Sequence, residues 1–251
     1  MLEFISEALN QLKADGLYRS LKTIEKIEGS KIIIDGKELI NFCSNDYLGL
    51  SQHPKVRERA IAAINEFGTG SRASRLICGN TVLHEQLESK ITQFKSREAA
   101  IVFPTGYMAN VGAITALTDE NDTIIIDRLN HASIIDACHL SKAKLQVYAH
   151  CDLDALEKVL QRSTKFKKRL IITDSLFSMD GDIAPLPEIV ELAKEFDAIT
   201  MIDEAHATGV VGYRGRGAEE LLEIKGQIDI IMGTLSKAIG SLGGFVTGSQ
   251  P

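Results

Sequence analysis

From residue 99 onward the sequence alternates strand-sized apolar runs with amphipathic helical stretches, and this alternation restricts the possible folds severely. The runs are "AAIVF", "DTIIID", "KLQVYA", "KRLIIT", "AITMID", "IDIIM" and "GGFVTG". Several are apolar at consecutive positions, as strands covered on both faces are. Helical crossovers between strands bring successive strands into parallel register and lay the helices over the sheet. The predicted class is therefore α/β, with a mostly parallel sheet flanked by helices.

The first part of the chain reads differently. "LEFISEALNQLKAD" is a helix, "GLYRSLKTIE" connects it, and "KIIID" and "ELINF" about "GK" form a hairpin signal. "PKVRERAIAAINEF", with proline in its first turn, and "TVLHEQLESKITQF" are helical by periodicity. The expected organisation is a helix-and-hairpin segment over 1–45 and one large domain over 46–251.

Composition narrows the function classes. A formal net charge of -6 and the lack of a Lys/Arg stripe argue against a nucleic-acid surface. The apolar runs are too short to span a bilayer, and "MLEFISEALNQLKADG" has no cationic start of a signal peptide. Cys43, Cys78, Cys138 and Cys151 contain no C-x-x-C pair, which fits a reduced, cytoplasmic setting.

Three patterns are weak. "GTGSRA" at 68–73 matches a dinucleotide-binding fingerprint but follows a helical stretch where a strand is required. "GYRGRG" at 212–217 lacks the Lys-Ser/Thr ending of a phosphate loop. His131, His139, His150 and Cys151 do not share a helical face at metal-ligand spacing, so no metal is expected.

Ligands of such sheets gather beyond the carboxyl ends of the strands. There the sequence places "PTGYMAN", "RLNHAS", "DSLFSMDGD", "DEAHATG" and "GTLSK". Gly106 and Tyr107 open a helix, whose free N–H groups and dipole favour a phosphate, and Thr234 and Ser236 add hydroxyls. Asp203 ends an apolar strand, where a carboxylate is costly unless it holds a cation or a proton. His131 offers a flat ring, and His206 lies three residues beyond Asp203. Lys237 sits among small residues and hydroxyls, a setting that disfavours the ammonium form and leaves an amine able to attack an aldehyde. An anion site, a buried carboxylate, a planar side chain and such a lysine together describe a site for pyridoxal 5′-phosphate (PLP). Taken singly, each has a plainer reading: a surface lysine, a capping histidine, or an Asp203 paired with Arg214 or Arg216.

The stretches "NFCSNDYLGL", "PTGYMAN", "LNHASIIDA", "FSMDGD", "IDEAHATGVVGYRGRG" and "GTLSKAIGSLGGF" together resemble the α-oxoamine synthases over essentially the whole chain. These are PLP enzymes of the fold type I, aspartate aminotransferase-like superfamily. The resemblance implies that Lys237 bonds the cofactor and then serves as base. Asp203 would meet the pyridine nitrogen, and His206 and Ser178 the phenolic oxygen region. His131 would stack on the ring and help to place substrate, and Gly106, Tyr107 and Thr234 would bind phosphate. Arg19 would meet a distal carboxylate of the acyl substrate, and Asn45 would lie near the amino acid. "GLYRSL", "DEAHATG" and "TLSKAIGSLGGF" lean toward the branch joining L-alanine to pimeloyl-CoA or pimeloyl-acyl carrier protein. The rival branch joins glycine to acetyl-CoA, and Ala205 stands where that branch usually has Ser. A non-catalytic product that binds only PLP or a partner chain is the rival from another class. The resemblance also implies a homodimer and a smaller C-terminal domain beyond "VTGSQP", which is expected to be absent here. Asp174 stands where many relatives carry Glu.

Overall fold

The computed structural model describes residues 3–250, and the chain divides after Ser44 into two compact units. The smaller begins with helix α1 (Glu3–Ala14) and continues as strands β1 (Lys26–Glu28), β2 (Lys31–Ile34) and β3 (Lys37–Ile40). They form a three-stranded antiparallel sheet in the order β1-β2-β3, with Ile34 opposite Lys37. The intervening Asp35 and Gly36 both have positive φ, 50° and 68°, the backbone a two-residue hairpin needs to match strand twist. The hairpin is the expected one. The third strand, Lys-Ile-Glu and wholly exposed, carries no hydrophobic pattern from which to expect it.

In the larger unit helices α2 (Pro54–Phe67) and α3 (Val82–Lys95) precede the sheet, with Pro54 opening α2 as expected. Then follow β4 (Ala99–Phe103), α4 (Gly106–Leu117), β5 (Thr123–Asp127), α5 (Ala132–Ser141) and β6 (Lys144–Tyr148). Helix α6 (Leu153–Arg162), β7 (Arg169–Asp174), α7 (Leu186–Glu195) and β8 (Ile199–Asp203) continue the alternation. The chain ends with α8 (Ala218–Leu221), β9 (Ile230–Thr234) and β10 (Gly244–Gly248). All seven apolar runs are strands of one sheet, ordered β4-β10-β9-β8-β7-β5-β6. The pairs among β6, β5, β7, β8 and β9 are parallel, whereas β10 is antiparallel to both its neighbours, β4 and β9.

Strand alternation divides the core between the two faces of the sheet. Ile125, Ile171, Ile202 and Ile231 pack with Leu156 and Leu160 of α6 and Ile189 and Val190 of α7. Ile124, Ile126, Leu170, Ile172, Met201 and Met232 face Ala109 and Ala113 of α4 and Ile134 and Ala137 of α5. Every residue of β5 and β7 is buried, which explains their unbroken apolar character. No helix among the described residues is long and apolar enough to cross a membrane, and the four cysteines are free thiols.

Candidate active site

The carboxyl ends of β5, β7, β8 and β9, with the segment joining β4 to α4, surround a cavity of about 230 Å³. Thr105, Gly106 and Tyr107 form one wall, Asp203, Ala205 and His206 a second, and Thr234, Ser236 and Lys237 a third. His131, Ser133, Asp174 and Leu176 complete it with Met232.

The Thr105 hydroxyl caps α4 by accepting from the Met108 N–H at 3.1 Å, and the Ala109 N–H takes the Thr105 carbonyl. The amides of Gly106 and Tyr107 lie in the first turn, where a helix supplies no carbonyl partner. Strand β10 runs close beneath this turn. A Cβ on Gly244 would stand 2.5 Å from the Thr105 carbonyl oxygen and 2.7 Å from the Gly106 nitrogen, so no side chain fits there. Beside Gly106, the Thr234 hydroxyl donates to the Gly243 carbonyl at 2.8 Å and lies 2.7 Å from Ser236 Oγ.

Asp203 is buried at the end of β8, with Oδ2 accepting from Asn110 Nδ2 at 2.9 Å and Oδ1 from the Ala205 N–H at 2.8 Å. Neither Arg214 nor Arg216 pairs with it; their backbone N–H groups donate to Glu220. Asn110 also donates to Ser133 Oγ at 2.9 Å, while its own Oδ1 is buried without a partner. His131 caps α5, its Nδ1 accepting from the Ser133 N–H at 3.2 Å, and still presents its ring to the cavity.

A continuous hydrogen-bond chain reaches the lysine. Tyr47 donates to Asn45 Oδ1 at 3.1 Å and stands 2.7 Å from His206 Nδ1, and His206 Nε2 is 2.7 Å from Lys237 Nζ. With the Tyr47 proton committed to Asn45, His206 donates from Nδ1 and accepts from Lys237 at Nε2. Burial, then the neighbouring Lys237 charge, push His206 down to about 4, so the ring is neutral at pH 7. Burial also pulls the Lys237 ammonium below the ordinary lysine value, against the opposing carboxylates of Asp203 and Asp174. Asp174 is pushed up to about 8, first by burial and then by Asp203. The cavity thus holds a lysine whose ammonium form is less favoured than that of an exposed lysine, a neutral imidazole and, in Asp174, a carboxyl with a raised pKa.

Of the residues singled out in the sequence, Gly106, Tyr107, His131, Asp203, His206, Thr234 and Lys237 line this one cavity. Asn45 joins it through Tyr47. Ser178 does not line the cavity: a bridge between Leu176 and Ile183 closes a turn in which Phe177 packs into the core and Ser178 is exposed. Arg19 belongs to the smaller unit and is exposed there. Sequence reasoning missed Tyr47 and Asn110. Asn110 had a legible signal, a lone amide one turn into the otherwise small and apolar helix "GYMANVGAITAL". The 68–73 glycines follow α2 directly, so the strand required for a dinucleotide loop is missing.

The family model for aminotransferase class I and II matches residues 37–251. The 8-amino-7-oxononanoate synthases of Thermoanaerobacter pseudethanolicus and Geobacter sulfurreducens are 52% and 47% identical over 99% of this chain. The chain spans 63% and 64% of their lengths. A serine palmitoyltransferase from S. paucimobilis, solved with PLP and myriocin bound, has a TM-score of 0.92 at 34% identity. That comparison covers 100% of this chain and 63% of the other. An 8-amino-7-oxononanoate synthase from Francisella tularensis gives a TM-score of 0.72 at 31% identity, over 83% of this chain and 58% of that one.

Proposed function

We propose, from the premise that this chain belongs to the aminotransferase class I and II family, that its cavity is the PLP site of an 8-amino-7-oxononanoate synthase. The architecture is the large domain of a fold type I PLP-dependent transferase. The observation that carries the proposal is the pairing of Lys237 with a neutral His206 at 2.7 Å in a cavity that also holds the buried Asp203.

The residues present fit the cofactor. Unpaired first-turn amides at Gly106 and Tyr107, with Thr234 beside Gly106, suit a phosphate dianion. Gly244 lets the backbone of this turn lie directly on β10. Asp203, already orienting its carboxylate through Asn110, suits a protonated pyridine nitrogen. His131 would lie against the ring, and His206 would face the phenolic oxygen, a role the structure supports for His206 better than for Ser178. When bound, the cofactor supplies an electron sink for charge left at a substrate Cα.

Lys237 would hold the cofactor through Nζ and would take the substrate's Cα proton onto the same atom. His206 Nε2 accepts a hydrogen bond from that nitrogen, and Tyr47 and Asn45 hold the imidazole in the required tautomer. The substrates would be L-alanine and a pimeloyl thioester of CoA or acyl carrier protein. The alanine Cα bonds to the thioester carbonyl, the thiol leaves and CO₂ is lost. Arg19 would receive the distal pimeloyl carboxylate by a charge-assisted hydrogen bond, and Asn45 would lie beside the amino acid. The working form would be a cytoplasmic homodimer.

The test is borohydride reduction of the chain mixed with PLP, followed by peptide mapping. A pyridoxyl label confined to Lys237 and abolished in Lys237→Ala supports the site; no label, or one scattered over surface lysines, overturns it. Addition of L-alanine before reduction should protect Lys237 more than glycine does. Equal or stronger protection by glycine would favour the glycine-using branch.

A further inference from the structure

One histidine ties together the carboxyl ends of two strands and the turn that follows a third. Asp127 ends β5, His150 follows β6, and Asp182 lies in the segment between β7 and α7. His150 Nδ1 faces both Asp127 oxygens, at 3.0 and 3.1 Å, and Nε2 faces Asp182 Oδ2 at 2.6 Å. Asp127 is buried, and its Oδ1 and Oδ2 also accept from the N–H groups of Leu129 and Cys151, both at 2.8 Å. Carboxylates on both sides leave each ring nitrogen to supply the proton, so the geometry calls for an imidazolium. The same cation compensates the Asp127 charge, which would be costly to bury alone. A thiol and an aromatic ring flank it. Cys151 Sγ lies beside the ring, 3.8 and 3.7 Å from the two nitrogens, and burial, then Asp127 and Asp182, push that thiol up to about 11. The Phe177 ring meets the imidazole edge-on, with 4.5 Å between centroids. Burial opposes the charged imidazole, but Asp127 and then Asp182 outweigh it and raise His150 above the ordinary histidine value.

The bridge fastens a turn that reaches the cavity wall. Asp182 Oδ1 has no hydrogen-bond partner among the described residues, so Oδ2 carries the attachment of this side chain. The Asp182 carbonyl accepts from the Phe177 N–H at 3.0 Å, and the Phe177 carbonyl from the Gly181 N–H at 2.9 Å. Phe177 is buried, while its neighbour Leu176 lines the cavity. Ser175, one residue further back, donates from its N–H to the Asp203 carbonyl at 2.9 Å. Residues 178–181 are exposed, so the tip of the turn gains little from packing and depends on its polar contacts.

We propose that His150 is a positioning residue: its imidazolium clamps Asp182 to Asp127 and so holds the 176–183 turn, with Leu176, against the cavity. Above its midpoint the ring has one proton for two carboxylates. One nitrogen lone pair then faces a carboxylate oxygen, that contact turns repulsive, and the turn loosens. A raised folded-state midpoint means that the clamp is intact at neutral pH and is lost as pH rises through that midpoint. The consequence for the site rests on the reading of the cavity as a PLP site: with the Leu176 wall loosened, the cofactor is held less tightly. Spacing along the chain could not show the clamp, because both carboxylates come from elsewhere in the sequence.

The experiment is NMR of the full chain, first without cofactor. Long-range ¹H–¹⁵N spectra at pH 7 should show both His150 nitrogens protonated, with the signals assigned through His150→Gln. The midpoint should lie above the ordinary histidine value of about 6.5. It should fall in Asp182→Asn, and Asp182→Glu should keep part of the elevation. Exchange protection of the Phe177 and Gly181 amides, corrected for intrinsic rate, should drop at least ~10-fold in Asp182→Asn at pH 7. In the unsubstituted chain the same protection should drop as pH rises through the His150 midpoint, and the Leu176 methyl signals should move with it. A neutral His150 ring at pH 7, or protection unchanged in Asp182→Asn, overturns the proposal. Leu176 methyl signals that follow neither the pH nor the substitution also overturn it. PLP affinity, read by fluorescence, should fall several-fold in Asp182→Asn while borohydride still labels Lys237. Unchanged affinity would make the bridge purely structural and overturn the positioning role. If the unsubstituted chain takes up no PLP, the reading of the site fails alone, because the ring, exchange and methyl signals are all read without cofactor.

Discussion

Lys237 owes its chemistry to a balance between burial and two carboxylates. Burial lowers its pKa, while Asp203 and Asp174 raise it. Its midpoint in cofactor-free protein should therefore lie below that of the exposed lysines, a difference that ¹³C-reductive methylation followed by NMR titration would read directly. Asp203→Asn removes a raising influence, so the midpoint should move further toward acid; movement toward alkali would contradict the assignment of causes. The same residues show what sequence could and could not reveal. Lys237, Asp203 and His206 were legible because each interrupts an apolar or small-residue run with a group that is costly to bury. Tyr47 was not, because its contact with His206 joins positions 159 residues apart. That Ser178 lies off the cavity wall was not legible for a related reason: lying beyond a strand end does not decide which residues of a loop turn inward.

Among the elements, β10 governs the anion wall. Its first residue has no room for a side chain beneath the first turn of α4, and the obstructing atoms are backbone that cannot rotate away. Gly244→Ala should therefore lower stability by about 1–3 kcal/mol, as overpacking does. It should also weaken PLP binding by at least ~10-fold, since the displaced amides are those that face the phosphate. Urea melts and a fluorescence titration would separate the effects. Unchanged affinity would show that the cofactor does not use this turn. The strands themselves were legible because five of the seven pair on both sides within a covered sheet and read as continuous apolar runs. Their order was not: the partners of β10 lie far apart in sequence, and nothing local distinguishes an inserted antiparallel strand from a parallel one.

In the larger unit taken as a whole, distant segments are fastened by charge buried away from water. Lys95, at the end of α3, pairs with Glu204 beside β8, and its remaining donors go to Thr208 Oγ1 at 2.8 Å and the Arg216 carbonyl at 2.7 Å. Glu204 in turn accepts from the Ala218 N–H at 2.7 Å. Both charged side chains are essentially inaccessible, 1% and 0% exposed. Lys95→Met should cost about 3–5 kcal/mol by leaving a buried carboxylate unpaired. Lys95→Met/Glu204→Gln should recover part of that loss in the same denaturation assay. Equal stability of the single and double variants would mean that the pairing itself contributes little.

The place of β10 between β4 and β9 also bears on how the protein is made. A ribosome delivers β4 about 140 residues before the strand that must pair with it. Throughout that interval β4 has no sheet partner, α4 lacks the strand that supports its first turn, and the segment bearing Lys237 has nothing to fold back upon. Anion wall and lysine therefore come into being in a single late event. During synthesis, capture of the cofactor would register the arrival of residues 244–248, and not the earlier assembly of the parallel strands.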